Sequence, residues 1–202
     1  MTEDATATLE TALTAEVARM YEEVASHPDG DYHFYTGRHA AELYGYRAAD
    51  LDWMPAPAVA AFAGVGCPID RARFQPGERV VDLGSGAGLD SLIAARAVGP
   101  MGRVVGIELN PKMIETADAN RGALGYEHVE FRQGRIEEPP VEDGFADVVI
   151  SNGVINLSFR KARALREAYR ILKPGGRVAI VDVVSARPLS QSIVNDPKLW
   201  AS

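Results

Sequence analysis

The segment VVDLGSGAGLD, residues 80–90, closes a β-branched run at Asp82 and follows it with glycines at 84, 86 and 88. Glycines let a chain turn tightly and bring its backbone close to a ligand, and a helix starting at Leu89 would present free N–H groups there. The spacing is G-x-G-x-G rather than the G-x-G-x-x-G of the dinucleotide fingerprint, and a tight strand-to-helix turn with no ligand uses the same glycines. Glu108 stands 26 positions after Asp82, at the end of the next apolar run. An acid so placed can accept both hydroxyls of a ribose. In GRIEE (134–138), Ile136 suits an adenine face and Glu137 the adenine amino group, and ILKPGGR (171–177) opens a further strand. Taken singly, Glu108 reads equally as a surface acid, Ile136 as core and KPGG as a turn.

The remaining candidates are scattered. Cys67 is the single cysteine, so neither an internal disulfide nor a cysteine-only zinc site can form. Its soft sulfur suits a metalloid, and a small buried hydrophobe is the plain alternative. His27, His33, His39 and His128 lack metal-ligand spacing. His33 and Tyr35 lie in an aromatic stretch able to touch a substrate or to pack into a core. Arg160, Lys161, Arg163, Arg166, Arg170 and Lys173 read as the solvated face of a helix.

These residues need a scaffold. RVVDL, RVVGIEL, HVEFR, ADVVI and GRVAIVDVV are short β-branched runs suited to parallel strands covered on both faces. Between them lie Leu89 to Val98, then a helix with Asn110 as N-cap, Pro111 at its first position, a stripe of Met113, Ile114, Ala117 and Leu124, and Gly125 as stop. A third helix has Phe159, Ala162, Leu165, Tyr169 and Leu172 on its apolar face and ends at KPGG. The alternation predicts an α/β, doubly wound, Rossmann-like sheet. Upstream, Leu9, Leu13, Val17, Met20 and Val24 predict one amphipathic helix with Thr11 or Thr14 as N-cap. Residues 28–66 read as an aromatic cap with a short helix near His39 to Tyr44. The expected organisation is an N-terminal helix and lid over 1–66 and a ligand-binding domain over 67–202, packed as one unit.

Composition bounds the function. The 202 residues carry 47% hydrophobic side chains and a net charge of -7, with 11 acids and 3 bases in residues 1–60. Mean hydropathy is -0.10. This suits a soluble domain with a packed core and excludes general nucleic-acid binding and disorder. No secretion signal or membrane span is legible, so a cytoplasmic location is expected.

Read jointly and in order, these strings resemble the class I S-adenosylmethionine-dependent methyltransferases, and more closely their arsenite methyltransferase-like group. The likeness rests on GVGCP (64–68), residues 76–113, VEFRQGRIEE (129–138), DVVISNGVINLS (147–158) and residues 166–184, with SNGVINL the most specific. It implies S-adenosylmethionine as cofactor, surrounded by Asp82, Gly84, Ser85, Gly86, Gly88, Asp90, Glu108, Leu109, Asn110, Ile136, Glu137 and Ser151 to Asn152, with Asn152 also a catalytic candidate. It implies arsenic held by cysteine thiolates, for which Cys67 is the candidate ligand; Gly153 stands where the group has cysteine.

The function so implied is methyl transfer to a small soft acceptor, arsenite or a thiol-bound arsenical, with glutathione as a thiol source. The alternatives are methylation of another small metabolite and a non-catalytic cofactor-binding relative. A nicotinamide enzyme is disfavoured by the glycine spacing, and a nucleic-acid methylase by SNGV in place of N-P-P-Y. The sheet is expected to have five parallel strands ordered 3-2-1-4-5 and to be shortened at its C-terminus. Its apolar fifth-strand edge would then either be covered by Leu189, Ile193, Leu199 and Trp200 or self-associate.

Overall fold

The computed structural model describes residues 3–28, 30–194 and 196–201. Helix α1 spans Glu3–Ser26, followed by the short helices α2 (Gly37–Leu43), α3 (Ala48–Asp52), α4 (Ala56–Ala60) and α5 (Ile69–Ala72). The alternating part runs β1 (Arg79–Leu83), α6 (Leu89–Val98), β2 (Arg103–Glu108), α7 (Pro111–Leu124), β3 (Val129–Gln133), β4 (Ala146–Asn152), a single 3-10 turn Ile155–Leu157, α8 (Lys161–Ile171) and β5 (Leu172–Val181). Helices α9 (Gln191–Val194) and α10 (Pro197–Ala201) follow. The five strands form one parallel sheet ordered β3-β2-β1-β4-β5, the order expected from the sequence.

Adjacent strand residues point to opposite faces, so a run such as Val148, Val149 and Ile150 can be buried throughout only if both faces are covered. Val80, Val104, Val129 and Val148 pack on one face with Leu92 and Ala94 of α6. Val81, Leu83, Val105 and Val149 pack on the other with Ala164, Ala168 and Ile171 of α8. Tyr46, Leu51, Ala58 and Phe62 share the first of these clusters, so residues 40–62 are built into the wall of the main core.

Local signals fix α7 as the sequence implies. The Asn110 carboxamide oxygen caps the helix from Lys112 N at 2.8 Å, and Gly125 ends it with φ +66°. Elsewhere the structure corrects the reading. Helix α1 begins at Glu3, so Thr11 and Thr14 are interior residues rather than caps. Residues 28–66 contain three short helices rather than one. On α8 the buried stripe is Ala164, Ala168 and Ile171, while Leu165 and Tyr169 are exposed. Alanines let that helix lie close on the sheet, which favours them over the larger residues that a hydropathy pattern selects.

Strand β5 begins at Leu172, ahead of KPGG. Ala146 pairs with Leu172 but Val148 with Arg177, so residues 173–176 bulge, with Gly175 at φ +83°. The strand ends at Val181 rather than Val184, because the Asp182 carboxylate turns back to accept from Ile155 N at 2.8 Å. No further strand pairs with β5 beyond β4 among the described residues. Helix α10 lies on α1, and Trp200 Nε1 donates to Leu157 O at 2.9 Å, with the Lys161 ammonium 4.2 Å from its ring. No helix of the described residues is long and apolar enough to cross a membrane.

Candidate functional site

At the carboxyl ends of β1, β2 and β4 lies a cleft of about 1150 Å³, its open mouth included. Open parallel sheets bind ligands at this switch point, where the crossovers leave the middle strands in opposite directions. Its floor is the glycine turn. Gly84, Gly86 and Gly88 have φ of +80°, +52° and +93°, a region that side chains disfavour. A Cβ on Gly84 would sit 2.4 Å from Val154 Cγ2, so glycine is also required by space.

The turn is pinned from below. Gly84 N and Ser85 N both donate to Ile107 O, at 2.8 and 3.0 Å. Glu108 accepts from Gly86 N at 2.9 Å and Asn110 N at 2.8 Å, and Asn120 Nδ2 donates to Ala87 O at 3.0 Å. Burial raises the Glu108 carboxyl above its ordinary value, and the backbone amides of Asn110, Gly86 and Leu109 oppose that. The Ser85 hydroxyl is buried in the cleft wall with no partner among the described residues. A polar ligand in the cleft would give this hydroxyl a partner.

The far wall carries Ile136 and Glu137, both nearly buried. Glu137 accepts from Ser158 Oγ at 2.5 Å and faces Arg135 at 3.4 Å. Arg135 and Arg160 also bracket Glu10 of α1, at 3.5 and 2.7 Å. Helix α1 roofs the cleft through Leu13, Thr14, Val17, Ala18 and Tyr21. Asn110 Nδ2 ties this roof down by donating to Ala18 O at 3.0 Å. Tyr21 stacks on Phe34 at 6.3 Å, and burial raises its phenol far above the ordinary value.

Of the residues expected around a ligand, Gly84, Ser85, Gly86, Asp90, Glu108, Leu109, Asn110, Ile136, Glu137 and Asn152 all line this one cleft. Asp82, Gly88 and Ser151 do not line it but lie beneath. Asp82 accepts from Ser91 Oγ at 2.7 Å, Ser151 Oγ donates to Leu83 O at 2.9 Å, and Gly88 N donates to Ser85 O at 2.9 Å. They shape the floor without facing the ligand space.

Cys67 also stays out. It lines a separate small indentation with Tyr46, Arg47, Asp50 and Asp70, and burial pushes its thiol up to about 11. The side chain packed against Gly153 is instead Val65, whose methyls would lie 3.2–3.3 Å from a Cβ placed there. His33 and Tyr35 are exposed and not part of the cleft; Tyr35 packs edge-on against His39 at 5.8 Å. Among the described residues no three histidine, cysteine or acidic side chains are placed to hold a metal ion.

The sequence did not disclose the roof, nor a buried hub beside the cleft. Asn152 Nδ2 lies 2.8 Å from Gly66 O, 3.1 Å from Asp90 Oδ2 and 3.1 Å from Tyr46 Oη, three acceptors within reach of its two hydrogens, while its Oδ1 accepts from Val65 N at 2.9 Å. The only advance signal for the roof was the helical stripe containing Leu13 and Val17.

Comparison with known proteins agrees with this arrangement. Residues 74–202 match the family described as methyltransferase domain. The chain is 46% identical over 159 residues to the arsenite methyltransferase of Halobacterium salinarum, covering 78% of this chain and 40% of that protein. It is 33% identical over 117 residues to a ubiquinone/menaquinone biosynthesis C-methyltransferase of Vibrio campbellii, covering 56% of this chain and 44% of that one. Among solved structures it resembles CrArsM, an arsenic(III) S-adenosylmethionine methyltransferase from Chlamydomonas reinhardtii, with TM-score 0.65 and 41% identity over 75% of this chain and 53% of that one. The chain thus spans about 40–44% of the length of these curated relatives. A glycine turn pinned over an acidic strand end, a sheet ordered 3-2-1-4-5 and the family match together mean that the chain belongs to the methyltransferase-domain family.

Proposed function

We propose that this chain binds S-adenosylmethionine in the cleft and transfers its methyl group to a small acceptor, an arsenical bound to a thiol such as glutathione being the leading one. The observation that carries the reading is the convergence of Gly84 to Gly86, Glu108 and Ile136 to Glu137 on one cleft, with an unpaired buried hydroxyl at Ser85. Glu108 would take the ribose hydroxyls, Ile136 and Glu137 the adenine, and the glycine turn with Asp90 the amino-acid end. When bound, the cofactor supplies a methyl already activated by a sulfonium, which leaves as a neutral thioether when the acceptor's lone pair takes the methyl.

The protein's task is therefore alignment and exclusion of water, and it needs few catalytic groups. The α1 roof and the Phe62 to Gly64 wall close over the cleft from the N-terminal side. The acceptor would enter near Asn152 and Gly153, where no protein thiol is present among the described residues. Arsenic must then bring its own thiolates, which as soft ligands keep it trivalent and its lone pair available. The likeness to arsenite methyltransferases favours this acceptor.

A second reading, methylation of another small metabolite, is favoured by the placement of Cys67 off the cleft and by the likeness to a C-methyltransferase. A mass-spectrometric assay of S-adenosylhomocysteine formation with arsenite and glutathione, beside small thiols, phenols and amines, tests the two. Turnover only with arsenite and thiol supports the first reading, and turnover only with an organic acceptor supports the second.

A further inference from the structure

Asp90 lies in the first turn of α6 and lines the cleft, yet both of its oxygens are held from behind. Oδ1 accepts from the Tyr46 phenol and Oδ2 from Asn152 Nδ2 at 3.1 Å. Tyr46 is only 5% exposed, and its ring packs edge-on against Phe62 at 5.1 Å, so the phenol cannot swing away. The phenol has one proton, and Asp90 Oδ1 is the acceptor that it meets. Among the described residues no lysine, arginine or histidine pairs with Asp90, and its partners are neutral donors. A buried carboxylate held this way, with one side open to a cleft, calls for a cationic ligand group.

We infer that Tyr46, outside the cleft itself, is a positioning residue that fixes Asp90 as an oriented anion for the ammonium of the cofactor's amino-acid end. The inference rests on the cofactor reading above and adds a residue that does not touch the ligand space. Burial raises the Asp90 carboxyl, and the hydrogen bonds from Tyr46 and Asn152 lower it. Around it stand Tyr46, Asp82 on β1 and Cys67, with Glu108 at the end of β2 facing Asp82. Tyr46 is raised well above its ordinary value and Cys67 to about 11, so neither ionises near neutrality. Asp82 is raised as well, in part by the Asp90 charge, so the two carboxyls titrate as a pair. Removing the phenol should therefore protonate Asp90 at a higher pH.

The test is calorimetric titration of wild type and Tyr46→Phe with S-adenosylhomocysteine, which has the amino-acid end, and with methylthioadenosine, which lacks it, at pH 6, 7 and 8. The expected result is unchanged methylthioadenosine binding and S-adenosylhomocysteine binding weakened on the order of fivefold at pH 6, converging on wild type as the pH rises and Asp90 ionises in both proteins. A loss that is equal for both ligands, constant with pH or absent would overturn the inference. Asp90→Asn serves where Tyr46→Phe fails to fold: it should remove both the preference for S-adenosylhomocysteine and its pH dependence, and a wild-type preference retained in that variant overturns the inference too. Wild type binding neither ligand would overturn the cofactor reading, and the inference with it.

Discussion

Gly86 donates its backbone N–H to the Glu108 carboxylate at 2.9 Å, which ties the middle of the glycine turn to the end of the neighbouring strand. The acid expected to hold a ribose thus also sets the loop that faces the rest of the ligand. Replacing it should disturb both at once. Glu108→Ala is expected to weaken S-adenosylhomocysteine binding by about 1.5–3 kcal/mol, the range for hydrogen bonds to a charged group. Isothermal calorimetry measures this, and unchanged affinity would remove Glu108 from the ribose assignment.

Asp82 and Asp90 are buried carboxylates in one small region, and Asp82 is the one raised further, by burial and then by the Asp90 and Glu108 charges. Asp90 has two side-chain donors and Asp82 one, so Asp82 is the group that keeps its proton longer. A carboxyl raised on folding favours the native state fully below its unfolded value and loses that contribution as pH rises towards its folded value. Thermal melts of the unliganded protein should therefore fall between pH 4 and 8. Asp82→Asn, which can still accept from Ser91, should match wild type near pH 4 and melt higher by pH 8, each kcal/mol being worth roughly 2–4 °C at this size. A variant that gains nothing with rising pH would contradict the account.

Cys67 lies off the cleft with its thiol largely protonated. Arsenite turnover should therefore require added glutathione and should survive Cys67→Ser. Activity without any thiol, abolished by that substitution, would return Cys67 to the acceptor site. Gly153→Cys is a costlier way to add a thiolate, because φ there is +71° and Val65 crowds the new Cβ. A destabilisation of about 1–2 kcal/mol is expected from the left-handed backbone, read as a shift in the denaturant midpoint.

Much of the scaffold was legible because its determinants are local. The β-branched runs marked five strands, and Asn110, Pro111 and Gly125 marked one helix from cap to stop within sixteen residues. The hub around Asp90 was not legible, since Tyr46 and Asn152 lie 106 positions apart and meet only through the fold. Thr14, Ala18 and Tyr21 on α1 give no sign in sequence that they face a ligand space, because a roof and a core-packing helix have the same apolar period. Leu165 and Tyr169 misled for a physical reason: close helix-to-sheet contact selects Ala164 and Ala168 by size.

The exposed β5 edge has its own consequence. Val178 is 50% exposed on the outermost strand of the described sheet, and helix α10 of the tail, one of the elements available to cover that edge, lies over α1 instead. Unpaired apolar edges pair with other chains. Light scattering should show association that grows with concentration and is reduced in Val178→Lys. A monomer at every concentration, unaffected by that substitution, would mean the edge is harmless.

The most direct measurement is calorimetric titration of the wild-type chain with S-adenosylhomocysteine at pH 7.5, with a nicotinamide dinucleotide as the comparison ligand. The account predicts saturable single-site binding of the first, lost or much weakened in Glu108→Ala, and none of the second. A folded protein that fails to bind S-adenosylhomocysteine, or binds it equally well without Glu108, would contradict it.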